Sequence, residues 1–280
     1  MSNLERGEHS SQSYDDANKV QLRQVQLVKS QQVTSQSEYI LQEVPVALVY
    51  NGISHVVMMV TGADLVEFAI GFSLSEGIIP NREALYGIEV LQHATGFTVE
   101  MEISSRAFLQ LKQQRRNLAG RSGCGLCGVE SLQQFQQDIP QVTTTFQRTW
   151  LNEIQPAIVQ LRQYQPLGQL SGASHAAAWV VQGQIVKCFE DIGRHNALDK
   201  LLGYLAQQHL SVADGFVLMS SRASYELIRK CAQFNIAMLA TISAPSSLAI
   251  DLAQRAGLTL LSFCREQRFT IYAQGSSEHA

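Results

Sequence analysis

The sequence predicts a mixed α/β fold in two parts. A smaller N-terminal unit of antiparallel strands and helices comes first, then a C-terminal unit whose helices cover a mostly parallel sheet. Three observations lead there. Asn51-Gly52 separates two β-rich runs, 39–50 and 53–60, and Asn-Gly supplies the two positive φ angles of a tight hairpin turn. From residue 215 onward short apolar strands alternate with helical patterns, as in a parallel sheet covered by helices. The 280 residues are 45 % hydrophobic and 16 % charged, which is enough apolar chain for packed cores and excludes global disorder.

Taken in order, residues 1–18 are rich in Ser, Asn, Glu and Asp and read as a disordered tail. The N-terminal unit is expected over 19–130. Within it, 19–29 alternates like a strand with one bulge, and the Gln/Ser run 30–37 reads as a loop. Thr61-Gly62-Ala63-Asp64 has capping-box spacing ahead of Leu65, Phe68, Ala69 and Phe72, which recur at helical spacing until Gly77 and Pro80. A second hairpin, 88–91 with 97–103, puts Phe97, Val99, Met101 and Ile103 on one face. A basic helix, 106–118, leads into Gly123-Cys124-Gly125-Leu126-Cys127-Gly128. The Gln/Thr-rich stretch 131–148, with Pro140, reads as a linker. The C-terminal unit, 149–280, should open with a helix over 150–164. A hairpin around Gln182-Gly183, a helix over 196–209 and the alternating strands and helices follow.

The net charge of −3 gives no global reason to expect nucleic acid, so any anion site must be local. No apolar run is long enough to span a membrane, and residues 1–13 do not form a secretory signal, so a cytoplasmic protein is expected. An odd count of five cysteines argues against a disulfide scaffold.

Three constellations are candidates for chemistry. Glycines flank Cys124 and Cys127, and Arg115, Arg116 and Arg121 precede them; positive charge favours thiolate, the nucleophilic form. Half a zinc site, a redox pair and two idle thiols are the other readings, but no second ligand pair follows at zinc spacing and no βαβ unit surrounds the motif, so no metal is expected. The second constellation is a set of strand ends: Ser220-Ser221-Arg222-Ala223-Ser224, Ser243 to Ser247, and Phe263-Cys264-Arg265-Glu266-Gln267-Arg268. Ligands of open α/β sheets bind beyond the carboxyl ends of strands, and Ser with Arg there suits phosphate, although a serine at such a junction is commonly just an N-cap. The third is His175, with Asp191, Arg194, His195, Asp199 and Lys200. These form either a solvated salt-bridge face or a polar pocket wall, with Asp191 a candidate cap and His195 and Asp199 sharing a helical face. Cys188, Cys231 and Cys264 read as apolar packing.

From Glu43 onward the chain resembles the FdhD family. The resemblance rests on Glu43-Val-Pro-Val-Ala-Leu-Val-Tyr-Asn-Gly52, Gly71-Phe-Ser-Leu-Ser-Glu-Gly-Ile-Ile79, the Cys124/Cys127 loop, and Gly172 with His175-Ala-Ala-Ala-Trp179. Glu190-Asp-Ile-Gly-Arg-His-Asn-Ala-Leu-Asp-Lys-Leu202 and Ser220 to Glu226 complete the set. It implies a cytidine-deaminase-like C-terminal domain and a sulfurtransferase that takes persulfide sulfur from a cysteine desulfurase. The acceptor would be the molybdenum bis(molybdopterin guanine dinucleotide) cofactor, bound as substrate and then inserted into formate dehydrogenase. Cys124 would carry the persulfide and Cys127 assist; residues 263–268 would bind the cofactor, with Ser220, Arg222 and Ser224 on the same rim. A homodimer is implied as well. The loop departs from the family's Lys-Pro-Gly-Arg: Arg265 replaces the lysine charge, Arg268 is kept and Glu266 adds a negative charge. Base deamination by such a domain needs His-x-Glu, and Ala176 and Ala177 follow His175, so that activity is not expected. A cofactor-binding chaperone without sulfur chemistry is the alternative.

Overall fold

A computed structural model describes residues 19–119, 139–265 and 267–277. Cys124, Cys127 and Glu266, the tail expected at 1–18 and the first part of the expected linker lie outside the described residues.

The chain opens with a two-stranded ribbon, β1 (Val20–Lys29) and β2 (Gln32–Leu41), paired antiparallel. Residues 32–37, expected as a loop, are therefore strand. Ser30 and Gln31 take positive φ, 49° and 70°, and make the turn that an Asn-Gly pair makes elsewhere. Polar side chains hid this strand because residues 32–37 are almost wholly exposed and show no apolar alternation, unlike β1. Next come β3 (Val44–Tyr50) and β4 (Ile53–Val60), joined at Asn51 (φ 47°) and Gly52 (φ 77°) as the sequence predicts. Helix α1 (Leu65–Ser75) and the hairpin β5 (Leu85–His93) and β6 (Gly96–Ile103) follow, then α2 (Ser105–Ala119). The four strands form one sheet, ordered β4-β3-β6-β5, with β3 and β6 parallel. Its inner face, including Val46, Leu48, Tyr50, Val99, Met101 and Ile103, packs on Leu65, Phe68 and Phe72 of α1. The expected capping box does not form. Asp64 is the N-cap residue, in left-handed backbone (φ 54°) with no side-chain cap bond, and Thr61 bonds elsewhere.

The described part of the expected linker, 139–148, lies against the C-terminal unit: Phe146 is buried on Trp150, and Asn235 Oδ1 accepts from the Thr143 and Thr144 amides. Helices α3 (Ile154–Leu161) and α4 (Pro166–Ser171) precede the hairpin β7 (His175–Val181) and β8 (Gln184–Asp191). Then come α5 (Arg194–Gln207), β9 (Phe216–Met219), α6 (Tyr225–Gln233), β10 (Met238–Thr241), α7 (Ser247–Ala256), β11 (Thr259–Arg265) and β12 (Arg268–Ala273). The six strands form one sheet, ordered β12-β11-β10-β9-β7-β8. β9, β10 and β11 run parallel; β7, β8 and β12 run antiparallel to their neighbours. The fold class is as predicted, with the parallel pairing confined to the centre. Both faces are covered. Trp179, Val217 and Met219 pack with α5, α6 and α7, while Ala178, Val180, Phe216 and Leu218 pack with Trp150 and α3. That is why these strands read as continuous apolar runs.

The two units meet where α1 crosses α5. A methyl added at Gly71 would lie 1.8 Å from the Asp199 carbonyl oxygen, and one at Gly203 would lie 1.9 Å from that of Glu67. The helices touch backbone to backbone, which only glycine permits.

Candidate functional site

Because β9, β10 and β11 are parallel, their carboxyl ends emerge at one edge of the sheet, and backbone bonds tie the three exits together. Ala223 N donates to Ala244 O (3.2 Å), Ser243 N to Ser221 O (3.3 Å) and Phe263 N to Ser243 O (3.2 Å). β7 runs against β9, so its first residue, His175, reaches the same edge; Ala176 N donates to Ser220 Oγ at 2.8 Å. The structure thus brings the predicted strand ends onto one rim. The end of β10 lies between the ends of β9 and β11, which puts Ser220 and Phe263 two strand spacings apart, roughly 10 Å along the sheet.

Each residue on the rim has a distinct setting. Arg222, Arg265, Gln267 and Arg268 are exposed; Ser220, Ser224 and Phe263 are half-buried. Ser246 caps α7 by accepting from Ala249 N at 3.2 Å, the plain structural role. Ser224 makes no such bond at α6, and its hydroxyl lies 3.4 Å from His195 Nε2. Phe263 has φ 53°, within an irregular stretch between Ser262 and Arg265 that bends β11 as it leaves the sheet. Beneath it Thr241 and Ser262 hydroxyls bond at 2.6 Å in full burial. Arg265 Nε reaches Ile242 O at 3.5 Å, and Arg265 faces Arg268 across the turn.

His175 and His195 both titrate below the ordinary histidine value. Burial is the main cause for each; Arg194 adds to it, with Arg222 at His175 and Lys230 at His195. His195 Nε2 lies 3.3 Å from Glu226 Oε2. Burial would raise the Glu226 carboxyl, but hydrogen bonds from Ser224 and its own backbone, with His195 and Arg194, hold it below the usual range.

The motif 190–200 corrects both sequence readings. Asp191 and Lys200 are fully buried and paired at 2.7 Å. Asp191 Oδ2 also accepts from Thr61 N (3.0 Å), while Oδ1 accepts from Gly193 N (2.9 Å) and Asn196 Nδ2 (2.9 Å). It therefore ties β4 to the start of α5 rather than only capping a helix. Asp199 turns away from His195 and meets Lys230 Nζ at 3.0 Å and Ser75 Oγ at 2.8 Å; Lys230 also reaches Glu76 at 2.7 Å. Burial would lower the Lys230 ammonium, but Asp199 and Glu76 outweigh it and hold it above its ordinary value. Asp191, Asp199 and Lys200 are therefore neither a solvated face nor a pocket wall but a buried polar seam between the two units, while His175, Arg194 and His195 stay half-buried, His195 beside Glu226. Sequence reasoning missed Thr61, Ser75 and Lys230; the one available signal was a lysine beside Cys231 inside an apolar helical pattern.

The three described cysteines pack as expected. Burial pushes the Cys188 and Cys264 thiols up to about 12 each and Cys231 further. None of them is a thiolate at neutral pH.

The sequence model of the FdhD/NarQ family matches residues 41–278, all but the first part of the chain. The chain belongs to the FdhD/NarQ family. A relative from Acinetobacter baylyi, the sulfur carrier protein FdhD, is 58 % identical over 234 residues, covering 84 % of this chain and 86 % of that one. A crystal structure described as that of a formate dehydrogenase accessory protein from Desulfotalea psychrophila superposes with a TM-score of 0.70 at 23 % identity. It covers 91 % of this chain and 97 % of that one, and supports the fold. The ribbon β1–β2 lies almost wholly ahead of the stretch that the FdhD/NarQ model matches. Among the described residues no helix is long and apolar enough to cross a membrane.

Proposed function

We propose that this chain is a sulfur carrier that serves formate dehydrogenase, as the names of its relatives suggest. Cys124 thiolate attacks the outer sulfur of a persulfide on a cysteine desulfurase. A new S–S bond forms at Cys124, the desulfurase thiolate leaves, and no net oxidation occurs. The acceptor is the molybdenum bis(molybdopterin guanine dinucleotide) cofactor, held at the carboxyl edge while Cys127 assists the transfer. The single observation that carries the reading is the row of three strand ends, joined by backbone bonds and presenting Arg222, Arg265 and Arg268 to solvent. Such a rim suits the phosphates of a dinucleotide. The closed state of Cys188, Cys231 and Cys264 supports assigning the nucleophile to the Cys124/Cys127 loop.

The test is intact-protein and peptide mass spectrometry after incubation with a cysteine desulfurase and cysteine. A gain of about one sulfur on the Cys124 peptide is expected. Cys124→Ala should load none while keeping its circular dichroism spectrum, and Cys127→Ala should retain some loading. Absence of sulfur on the wild-type protein, with cofactor binding intact, would leave a binding-only chaperone. Loading lost only in Cys264→Ala would move the nucleophile to β11.

A further inference from the structure

The N-terminal sheet has one covered face and one open face. Val46, Leu48 and Tyr50 of β3, with Val99, Met101 and Ile103 of β6, turn inward onto α1. Side chains alternate along a strand, so Pro45, Ala47 and Val49, with Thr98, Glu100 and Glu102, turn outward. The cross-strand register adds Val57 and Met59 of β4, and Glu89 and Leu91 of β5, to the same outer face. α1 packs in turn against α5, so the outer face points away from the C-terminal unit.

This face is apolar on one side and acidic on the other. Val57 is 58 % exposed and Met59 46 %, opposite Ala47 and Pro45. Glu89 stands directly opposite Glu100, and Glu102 follows opposite Gly87. All three carboxylates are exposed, and none forms an ion pair among the described residues. Like charges directly opposite destabilise a sheet. None of the four strands contains a lysine or arginine that could relieve them.

We infer that the persulfide donor docks on this face, a basic surface of the desulfurase meeting Glu89, Glu100 and Glu102 and an apolar side chain of it meeting Val57 and Met59. The inference rests on the sulfur-carrier reading and adds the place of contact. Charge selects the class of occupant. A second copy would set acid against acid, and nucleic acid or an anionic membrane would be repelled. Size selects the kind of contact. Four strands at the usual spacing present roughly 450 Å², well under the roughly 800 Å² per partner of a stable complex, which suits a donor that docks and leaves. Position selects the partner. The dehydrogenase would collect the cofactor at the carboxyl edge, whereas β6 runs through Ser104 directly into α2, the helix that leads to Cys124.

The test loads the full chain from two donors, a cysteine desulfurase with cysteine, and glutathione persulfide, which is too small to need docking. With either donor the Cys124 thiolate attacks the outer sulfur and the donor thiolate leaves. Glu100→Lys turns a like-charge pair into an opposite one, so it should melt no lower than the wild type. It should nevertheless raise the KM of the desulfurase for this chain about tenfold or more at low salt, with kcat little changed. The effect should shrink between about 0.01 M and about 0.15 M ionic strength, as the screening length falls from about 30 Å to about 8 Å. Val57→Ser should raise KM about fourfold or more at either salt, the loss of at least one buried methylene. Loading from glutathione persulfide should be unchanged in both variants. Asp214→Lys, which reverses an exposed charge on the C-terminal unit, controls for net charge and should behave as the wild type does. An unmoved KM in Glu100→Lys and Val57→Ser would overturn the docking face and leave sulfur transfer standing. Variants that lose loading from both donors would also overturn it, by tracing the defect to the Cys124 loop. A wild type that loads from neither donor would overturn the sulfur-carrier reading, and the docking face with it.

Discussion

The α1–α5 seam and the carboxyl-edge rim lie on either side of the motif 190–202 and treat charge in opposite ways. In the seam Asp191 and Lys200 are wholly enclosed and paired at 2.7 Å, and Asp199 and Lys230 at 3.0 Å. On the rim Arg194, three residues from Asp191, keeps a buried Nε with no acceptor. A buried charge is tolerable when its partner is built into the chain. One left without a partner carries a cost that the chain itself does not offset. The comparison separates residues that hold the two units together from residues that receive a ligand, although the motif 190–202 offers both in one unbroken run.

The largest effect should come from breaking the seam. Lys200→Met leaves Asp191 as an enclosed carboxylate without a counter-charge, and a loss of about 3–5 kcal/mol in unfolding free energy is expected. Arg222→Ala on the rim should stay within about 0.5 kcal/mol. Urea unfolding of the two variants decides the matter; equal costs would dissolve the distinction between seam and rim.

A smaller effect sharpens it by sterics alone. Gly203→Ala drives a methyl to 1.9 Å from the Glu67 carbonyl, and the backbones of α1 and α5 must part, at a cost of about 3 kcal/mol or somewhat less if they slide. Gly172→Ala at the end of α4 meets nothing within 4 Å and pays only for its φ of 67°, about 1 kcal/mol. A Gly172 variant as unstable as the Gly203 variant would mean that conformation, not close approach, governs both.

How far the sequence foretold this contrast can be seen residue by residue. The Asn51-Gly52 hairpin, α1 and the alternating C-terminal elements were legible because apolar spacing and turn chemistry are local properties. The ribbon strand β2 was not, since Gln32 to Ser37 face water on both sides and give no periodicity. β12 and the short α4 were missed for the same reason, their side chains being largely exposed. The rim was legible because parallel strands place their exits on one edge once the alternation is recognised. The seam was not: Thr61 with Asp191, and Ser75 with Asp199, lie more than 120 residues apart, and pairings of that separation leave no local mark.

Acid should act on the rim before it acts on the seam. His175 and His195 titrate below the ordinary histidine value of 6.5, with burial the main cause. Between the folded and unfolded values the unfolded chain binds more protons, so stability falls as pH drops below about 6.5. Above that pH both states are neutral at these positions and they contribute no slope. Melting temperatures from pH 8 to pH 5 should decline in the wild type and decline less in His175→Gln. An unchanged slope in that variant would assign the acid sensitivity to other groups.

The smallest effect on stability should accompany a clear effect on binding, and that combination is what a ligand edge requires. Arg268 is exposed and opposite Arg265 in the β11–β12 turn, so two like charges face each other. Removing one relieves repulsion as much as it removes contact, and Arg268→Ala should shift unfolding by no more than about 0.5 kcal/mol. The same change should weaken the stabilisation given by GDP, taken as a fragment of the guanine dinucleotide cofactor. At about 100 times its dissociation constant GDP should add roughly 2.7 kcal/mol to the wild type. A tenfold weaker variant, at the same GDP concentration, should gain only about 1.4 kcal/mol, because the occupancy factor falls from about 100 to about 10. Thermal melts with and without GDP read both quantities from one sample pair. If Arg268→Ala destabilised the free protein by several kcal/mol, the turn would belong with the seam as a structural element. If GDP stabilised the wild type and the variant equally, the phosphate would be held elsewhere on the rim.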